Sequence, residues 1–287
     1  MKNNMKTVVL LGSLAGLMVV FGQLLGGRTG AIIGFGLAAA INFASYWFSD
    51  KIALKMSKAK PVTREEAPAL YEIVEDLSRR AEIPMPTLHM VASDQPNAFA
   101  TGRNPEHAAV AVTEGIMRIL TRDELEGVLA HELSHVKNRD ILTTSIAAAI
   151  AGGISLLATM ARWGAIFGGG SNDEDEGGGI AAVLVASIVA PLAAMVVQMA
   201  ISRSREFQAD ASGADVCGNP AGLASALRKI EAGAQQTPMA VSPSAAPLFI
   251  INPLRGRFAQ GAAKMFMTHP PTDERIQRLE AMAHQSA

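Results

Sequence analysis

The sequence predicts an α+β protein that is mainly helical, with four membrane-spanning helices and a cytoplasmic domain that holds a metal site. Three observations lead to this fold class. Four uncharged stretches of 21 or more residues are each long enough to cross a bilayer. The remaining chain, 51–140 and 203–287, mixes helical and strand patterns. Within it, His131-Glu132-Leu133-Ser134-His135 forms an H-E-x-x-H motif.

Composition agrees with a membrane protein and excludes some function classes. Only 18% of the 287 residues are charged, against about 25% in typical soluble proteins. The net charge of −1 argues against a nucleic-acid partner. Cys217 is the single cysteine, so neither an intramolecular disulfide nor a Cys-rich zinc site can form. Any metal must therefore be held by histidines and carboxylates.

The four apolar segments are 7–27, 29–49, 141–161 and 177–202. For the first, a cleavable signal peptide is the alternative, because Lys2 and Lys6 precede it. Its apolar run is long for a signal peptide, and a second span follows almost at once. For the last two, the alternative is a soluble helical hairpin within a core. We expect all four to span a lipid bilayer.

Basic residues predict the orientation of these spans. Lysines lie before the first span and over 51–60, and Arg203 and Arg205 follow the fourth. The loop between the third and fourth spans carries the acidic run 173–176. Both termini and the metal motif are therefore predicted in the cytoplasm. The resulting division is two spans in 1–50, a first catalytic part in 51–140, a transmembrane hairpin in 141–202 and a second catalytic part in 203–287.

The soluble parts show a run of helix and strand signals. A capping box at 63–66 is expected to open a helix whose apolar face is Leu70, Ile73, Val74 and Leu77. Residues 87–92 and 108–113 are predicted strands, and 97–102 a short strand or turn. Helices are predicted over 206–215 and from Pro220, a long loop over 235–262, and a last helix from Thr272.

A second capping box, 121–124, opens the helix that carries the metal motif. Residues four apart lie on one helix face, so His131 and His135 can bind one metal ion, with Glu132 beside it. Nothing in the sequence breaks this helix before Asp140, and we expect it to continue into the third span. The metal site would then lie close to the membrane.

A catalytic zinc site normally has a third protein ligand. The candidates are four further histidines and the cytoplasmic carboxylates: His89, His107, His269 and His284, and above all Glu206. Asp210 follows Glu206 by one helical turn, which suits a carboxylate that orients a ligating histidine. The alternative is that Glu206 is a surface charge paired with Arg203 or Arg205.

With these residues in view, the chain resembles the HtpX family of membrane-embedded zinc metalloproteases, relatives of the Ste-type CAAX prenyl proteases. The resemblance is carried by H-E-L-S-H-V-K-N-R-D, by E-F-Q-A-D, by the hairpin between them, and by the Asn-Ala-Phe-Ala and Thr-His-Pro-Pro segments. It covers essentially the whole chain. It implies a zincin-like (gluzincin) domain on the cytoplasmic face of a bacterial inner membrane.

The resemblance also implies a set of site residues. One Zn²⁺ per chain would be held by His131, His135 and Glu206, with Asp210 behind a ligand and Glu132 as general base. His269 and Arg275 would match the C-terminal histidine and arginine of the family, which face the reacting carbonyl. The alternatives are a turn residue for His269, and for Arg275 a surface residue paired with Asp273 or Glu274.

Asn97, Ala98 and Phe99 are candidates for substrate binding, because zincins commonly hold a peptide as an extra strand on a sheet edge. The alternative is an ordinary strand-to-turn segment in which Asn97 completes the turn. The sequence is compatible with both interpretations of these three residues.

The function expected from the resemblance is an endopeptidase that degrades damaged or misfolded membrane proteins or unfolded polypeptides. One alternative is a processing protease of prenylated or other membrane substrates, which would normally need more spans to enclose a chamber. A second is a zinc transporter or sensor without catalysis. The apolar segments contain no His, Asp or Glu for a cation path, which argues against it.

Overall fold

The structure is a computed structural model that describes residues 2–148, 150, 203–237, 248–251 and 270–286. The predicted fourth span, most of the third, the acidic loop, most of the predicted loop 235–262 and His269 lie outside the described residues.

The N-terminal helix α1 covers Lys2–Trp47, and it reverses direction at Gly27. Gly27 has a left-handed φ of 57°. Asn42 Nδ2 donates to the Leu11 carbonyl at 3.0 Å, although 31 residues of straight helix would separate them by about 46 Å. A Cβ on Gly34 would lie 2.2 Å from the Met18 carbonyl oxygen, so the two arms are in close contact.

Among the described residues, one helix, Gly27–Trp47, is long and apolar enough to cross a membrane, and Thr7–Val20 is a shorter apolar helix. The N-terminal arm packs on the start of the third apolar segment, which is helical over 141–148. Leu14, Ile146, Ala147 and Ile150 form a separate apolar cluster there. Thr7 and Thr143 share a hydroxyl hydrogen bond of 3.1 Å within it.

A four-stranded sheet follows a short helix, α2, over Ser49–Met56. Its strands are β1 (Lys60–Pro61), β2 (Thr87–Val91), β3 (Ala98–Gly102) and β4 (Ala108–Thr113), in the spatial order β1-β2-β4-β3. β2 and β4 are parallel, and the other two pairs are antiparallel. The alternative of a strand for 97–102 is therefore correct from Ala98, and this strand lies at one edge of the sheet.

Helix α3 covers Pro68–Ala81 and buries the four predicted apolar residues. The predicted start at Thr63 is wrong, although the capping box does form. Thr63 N donates to Glu66 Oε2 at 2.8 Å, but this bond closes a turn that precedes the helix. Pro68 lies in the first helical turn, where a backbone N–H would have no partner within the helix, so proline is tolerated there. A 3₁₀ turn, Pro105–His107, and a short helix α4, Glu114–Ile119, were not predicted.

Helix α5, Arg122–Lys137, carries the metal motif and begins with the predicted capping box at Thr121. The expectation that it continues into the third span is wrong. The helix ends at Lys137, and Arg139 adopts a left-handed φ of 58° that redirects the chain. A new helix starts at residue 141.

The later helices are α6 (Arg203–Cys217), α7 (Pro220–Gln236) and α8 (Thr272–Ser286). They share one apolar core with α3, α5 and the sheet, built around Leu77, Val110, Leu129, Leu227 and Leu279. Residues before and after the segment 141–202 thus share one apolar core.

Candidate metal centre

Three potential metal ligands meet where α5 faces α6. Atoms of His131, His135 and Glu206 that can bind a metal all lie within 4.8 Å of one another. Glu206 Oε2 is 3.9 Å from His131 Nε2, and its Oε1 is 3.6 Å from His135 Nε2. The three side chains are 1%, 15% and 7% exposed. Two histidine nitrogens and one carboxylate oxygen thus lie together, and these are donor types that zinc prefers.

Close packing of α5 and α6 makes this arrangement possible. Gly213 of α6 lies against the backbone of His131, and a Cβ atom on Gly213 would come within 2.8 Å of the backbone nitrogen of His131. Gly213 lies two turns after Glu206, so the same approach holds the Glu206 carboxylate against the histidine pair.

Asp210 lies behind the first histidine. Its Oδ1 is 2.9 Å from His131 Nδ1. The same carboxylate accepts two hydrogen bonds from Arg275, Nε to Oδ2 at 2.8 Å and Nη2 to Oδ1 at 2.6 Å. Burial alone would raise the pKa of Asp210, but the charge and hydrogen bonds of Arg275 outweigh it and hold the pKa below its usual range. An ionised Asp210 accepts the Nδ1 proton of His131, which leaves Nε2 for a metal.

Arg275 is only 1% exposed, so the alternative of a surface residue on the last helix is wrong. Its Nη1 donates to the Ile250 carbonyl at 3.1 Å, and its Nη2 lies 3.4 Å from His131 Nδ1 and 3.5 Å from His131 Nε2. It does not belong to the residues that line the pocket at the ligand cluster. Its contacts therefore place it against the His131 ring, where it holds Asp210.

Glu132 lines the same pocket as the two histidines and also contacts the edge strand. It is 3% exposed, and its Oε2 accepts a hydrogen bond from the Ala100 backbone N–H at 2.8 Å. Burial raises the pKa of this carboxyl group, and the two neighbouring histidines oppose the rise. A carboxylate at this point is placed to act as a general base.

The electrostatics of the cluster favour a cation. Burial lowers the pKa of the His135 imidazole, but Glu206 and Asp140 outweigh burial and raise that pKa to about 9. A position that stabilises positive charge on a buried imidazole also suits a bound metal ion, so the donor set and its charge fit the zinc that the sequence predicts.

Asp140 also lines the pocket, together with Arg205, and sequence reasoning missed both. Asp140 Oδ2 lies 3.3 Å from His135 Nδ1. The only sequence signal for a role of Asp140 was the position of its carboxylate five residues after the second histidine. An unbroken helix would have carried that carboxylate away from His135.

The predicted substrate-binding residues lie on and before β3, and all three are buried. Asn97 Nδ2 donates to the Ile251 carbonyl at 2.7 Å, and Ile250 N–H donates to the Ala98 carbonyl at 3.0 Å. The Phe99 ring packs edge-on against Phe249, with centroids 5.0 Å apart. These residues thus hold the segment 248–251 beside the edge strand, and that segment forms one wall of the pocket.

Comparisons with known proteins assign the chain to a family. The family model described as Peptidase family M48 matches residues 64–283. A protease HtpX homolog of Pelotomaculum thermopropionicum is 52% identical over 282 residues, covering 98% of this chain and 99% of that protein. One from Desulforapulum autotrophicum is 55% identical over 280 residues, with 97% and 90% covered.

A crystal structure of S. mikatae Ste24p shares the fold, with a TM-score of 0.50 and 18% identity. The alignment covers 97% of this chain and 66% of that protein, so the chain spans just under two thirds of its length.

Proposed function

Because the chain belongs to peptidase family M48, whose members are zinc-dependent metallopeptidases, we propose that it is a membrane-bound zinc endopeptidase with His131, His135 and Glu206 as its metal ligands. The membership confirms the resemblance found in the sequence, and the chain is a metalloprotease. The observation that carries the ligand assignment is the convergence of the three side chains within 4.8 Å. One zinc ion per chain is proposed.

A zinc ion held by His131, His135 and Glu206 would supply the Lewis-acid chemistry that activates water and polarises the substrate carbonyl. Glu132 accepts the proton of the attacking water and later delivers it to the leaving amine. Its hydrogen bond from Ala100 fixes one carboxylate oxygen, so the other oxygen is the one that carries the proton. Asp210 and Arg275 keep the His131 ring in one orientation.

His269 is proposed as the donor that stabilises the developing oxyanion, on the basis of the family resemblance. The same resemblance implies that Arg275 also stabilises the oxyanion. The contacts of Arg275 with Asp210, Ile250 and His131 support a different role, in which it acts on the reaction through His131.

The edge strand β3 is proposed as one wall of the peptide cleft, with its Ala98 carbonyl bonded to Ile250 N–H and its Ala100 N–H bonded to Glu132. Its outer side faces Glu132 through the Ala100 N–H, so a peptide beside this strand would lie next to the general base. Asn97, Ala98 and Phe99 contribute by holding residues 249–251 as a wall of the cleft. Asn97→Ala is therefore expected to raise KM several-fold and leave zinc affinity unchanged. Unchanged KM and kcat would assign Asn97 to the turn alone.

The proposed location is a bacterial inner membrane, with four spans and with both termini and the catalytic domain in the cytoplasm. The support is the apolar helix Gly27–Trp47 with its antiparallel N-terminal arm, the lysines at both ends of that pair, and the contact between the arm and residues 143–150. Damaged or misfolded membrane proteins and unfolded polypeptides are the proposed substrates.

Glu132→Gln in the full-length, detergent-purified protein tests the function. We expect cleavage of casein and of a model membrane protein to be lost while one zinc per chain remains bound. Glu126→Gln is the matched control, because Glu126 lies on the same helix and pairs with Arg80 at the surface. Full activity of Glu132→Gln would refute the proposed mechanism.

A further inference from the structure

The chain makes a tight reversal directly after the metal-binding helix. Arg139 N–H donates to the Val136 carbonyl at 3.1 Å, and Asp140 N–H donates to the His135 carbonyl at 3.0 Å. With Asn138 as the C-cap, these two bonds form a Schellman turn. The second of these bonds therefore joins the backbone of Asp140 to the backbone of His135.

The turn uses an unusual residue at its left-handed position. Arg139 has a φ of 58°, where glycine is the usual choice. A side chain in this conformation costs about 1–2 kcal/mol. Strained positions of this kind concentrate at functional sites. Here the reversal returns the next side chain, Asp140, to the metal-binding face of α5.

Asp140 reaches the rear nitrogen of His135. Its carboxylate is 4% exposed, and Oδ2 lies 3.3 Å from His135 Nδ1. The other ring nitrogen, Nε2, faces Glu206 Oε1 at 3.6 Å. The second oxygen of Asp140 lies 3.4 Å from Arg205 Nη1. Each face of the carboxylate thus has a partner, the imidazole on one side and a guanidinium on the other.

This arrangement repeats the one behind His131. There, Asp210 contacts the ring Nδ1, and Arg275 holds the carboxylate. A carboxylate behind a ligating histidine fixes the ring tautomer and orientation and makes the other nitrogen a better donor. We propose that Asp140 is a positioning residue for His135 and that Arg205 holds it in place. The inference rests on the proposed function, in which His135 binds zinc.

Asp140 and Arg205 lie at opposite ends of one long segment of the sequence. Asp140 directly precedes the segment 141–202, and Arg205 lies three residues after that segment. Arg205 also directly precedes Glu206. The contact between Asp140 and Arg205 therefore joins the chain before and after the segment and fastens the carboxylate helix to the end of α5, so that two of the three ligands are held through one ion pair.

Asp140→Asn, Asp140→Ala and Arg205→Gln, made in the full-length protein in detergent, test the inference. The zinc dissociation constant is measured by competition with a chelating dye. Replacing a residue behind a ligand typically weakens metal binding 10–100-fold. We expect a change of that size for Asp140→Ala and smaller changes for the other two. Asp123→Asn is the control, because Asp123 is an exposed aspartate at the far end of α5.

A second readout separates positioning from general stability. Cobalt replaces zinc, and its visible absorption reports the geometry of the ligands. We expect altered bands in Asp140→Ala and Arg205→Gln, and the parent spectrum in Asp123→Asn. If Asp140→Ala does not fold, Arg205→Gln still decides the inference. A zinc dissociation constant and cobalt spectrum equal to the parent in the folded variants would overturn it. A parent protein that binds no zinc would instead overturn the proposed function.

Discussion

Replacing Arg275 by methionine removes the counter-ion of a buried carboxylate. In the structure Arg275 is 1% exposed and Asp210 is 3% exposed, and two hydrogen bonds of 2.6 and 2.8 Å join them. Arg275→Met keeps an apolar side chain in the space and leaves Asp210 buried with no cation against it. Breaking a buried pair on one side costs about 3–5 kcal/mol.

The expected loss is large compared with a typical folding free energy of about 5–15 kcal/mol. At roughly 2–4 °C per kcal/mol, Tm should fall by about 6–20 °C. The assay is thermal unfolding of the detergent-purified protein, followed by circular dichroism. Arg228→Met is the control, because the Arg228–Glu280 pair is about half exposed and surface pairs contribute about 0–1 kcal/mol.

A double variant tests the cause of the loss. Asp210→Asn removes the charge that Arg275→Met leaves unpaired, so the two changes together should cost less than the sum of the single changes. A Tm of Arg275→Met within 2 °C of the parent, or strictly additive losses, would refute the reasoning that the pair stabilises this site.

The remaining predictions concern helix packing and acid stability. Gly213→Ala should destabilise the fold by about 1–3 kcal/mol and weaken zinc binding, because the new methyl group would push α6 away from the His131 backbone. Ser212→Ala should change neither, and equal zinc affinity in the two variants would contradict the packing argument. Glu124 accepts bonds from Lys229 and Thr121, which together outweigh burial and lower its pKa to about 2. Because this folded-state pKa is below the ordinary 4.5, the stabilisation is complete above pH 4.5 and is lost as the pH falls toward 2. Glu124→Gln should therefore lower the unfolding free energy at pH 7 by at most about 3 kcal/mol and have a shrinking effect below pH 4.5. A penalty that stays constant with pH would show that the charge is not the cause.

Local patterns in the sequence were sufficient for the elements that position the motif. The capping box at Thr121 and the i, i+4 spacing of the histidines depend only on neighbouring residues, and α5 begins where they indicate. The strand 108–113 follows from its own composition and is found with those bounds. Glu206 depended on the E-F-Q-A-D segment and the family resemblance, because its distance from the histidines in sequence carries no geometric information.

Features that depend on tertiary contacts were not predictable. The end of α5 rests on Arg139 in a left-handed conformation that its side chain disfavours. For this reason the sequence indicated a continuous helix, and the role of Asp140 was missed. The burial of Arg275 rests on a partner 65 residues away in sequence. An arginine on an amphipathic last helix is normally exposed, and only its pairing with Asp210 makes the buried position stable.

The ligand set is best tested by the zinc content of Glu206→Gln, determined by mass spectrometry on full-length protein after dialysis. We expect one zinc per chain in the parent and in the control Glu280→Gln, which alters an exposed residue of α8. We expect the zinc dissociation constant of Glu206→Gln to rise by more than about 100-fold, beyond the effect of a residue that only supports a ligand. Full zinc occupancy and unchanged affinity in Glu206→Gln would contradict the proposed ligand set.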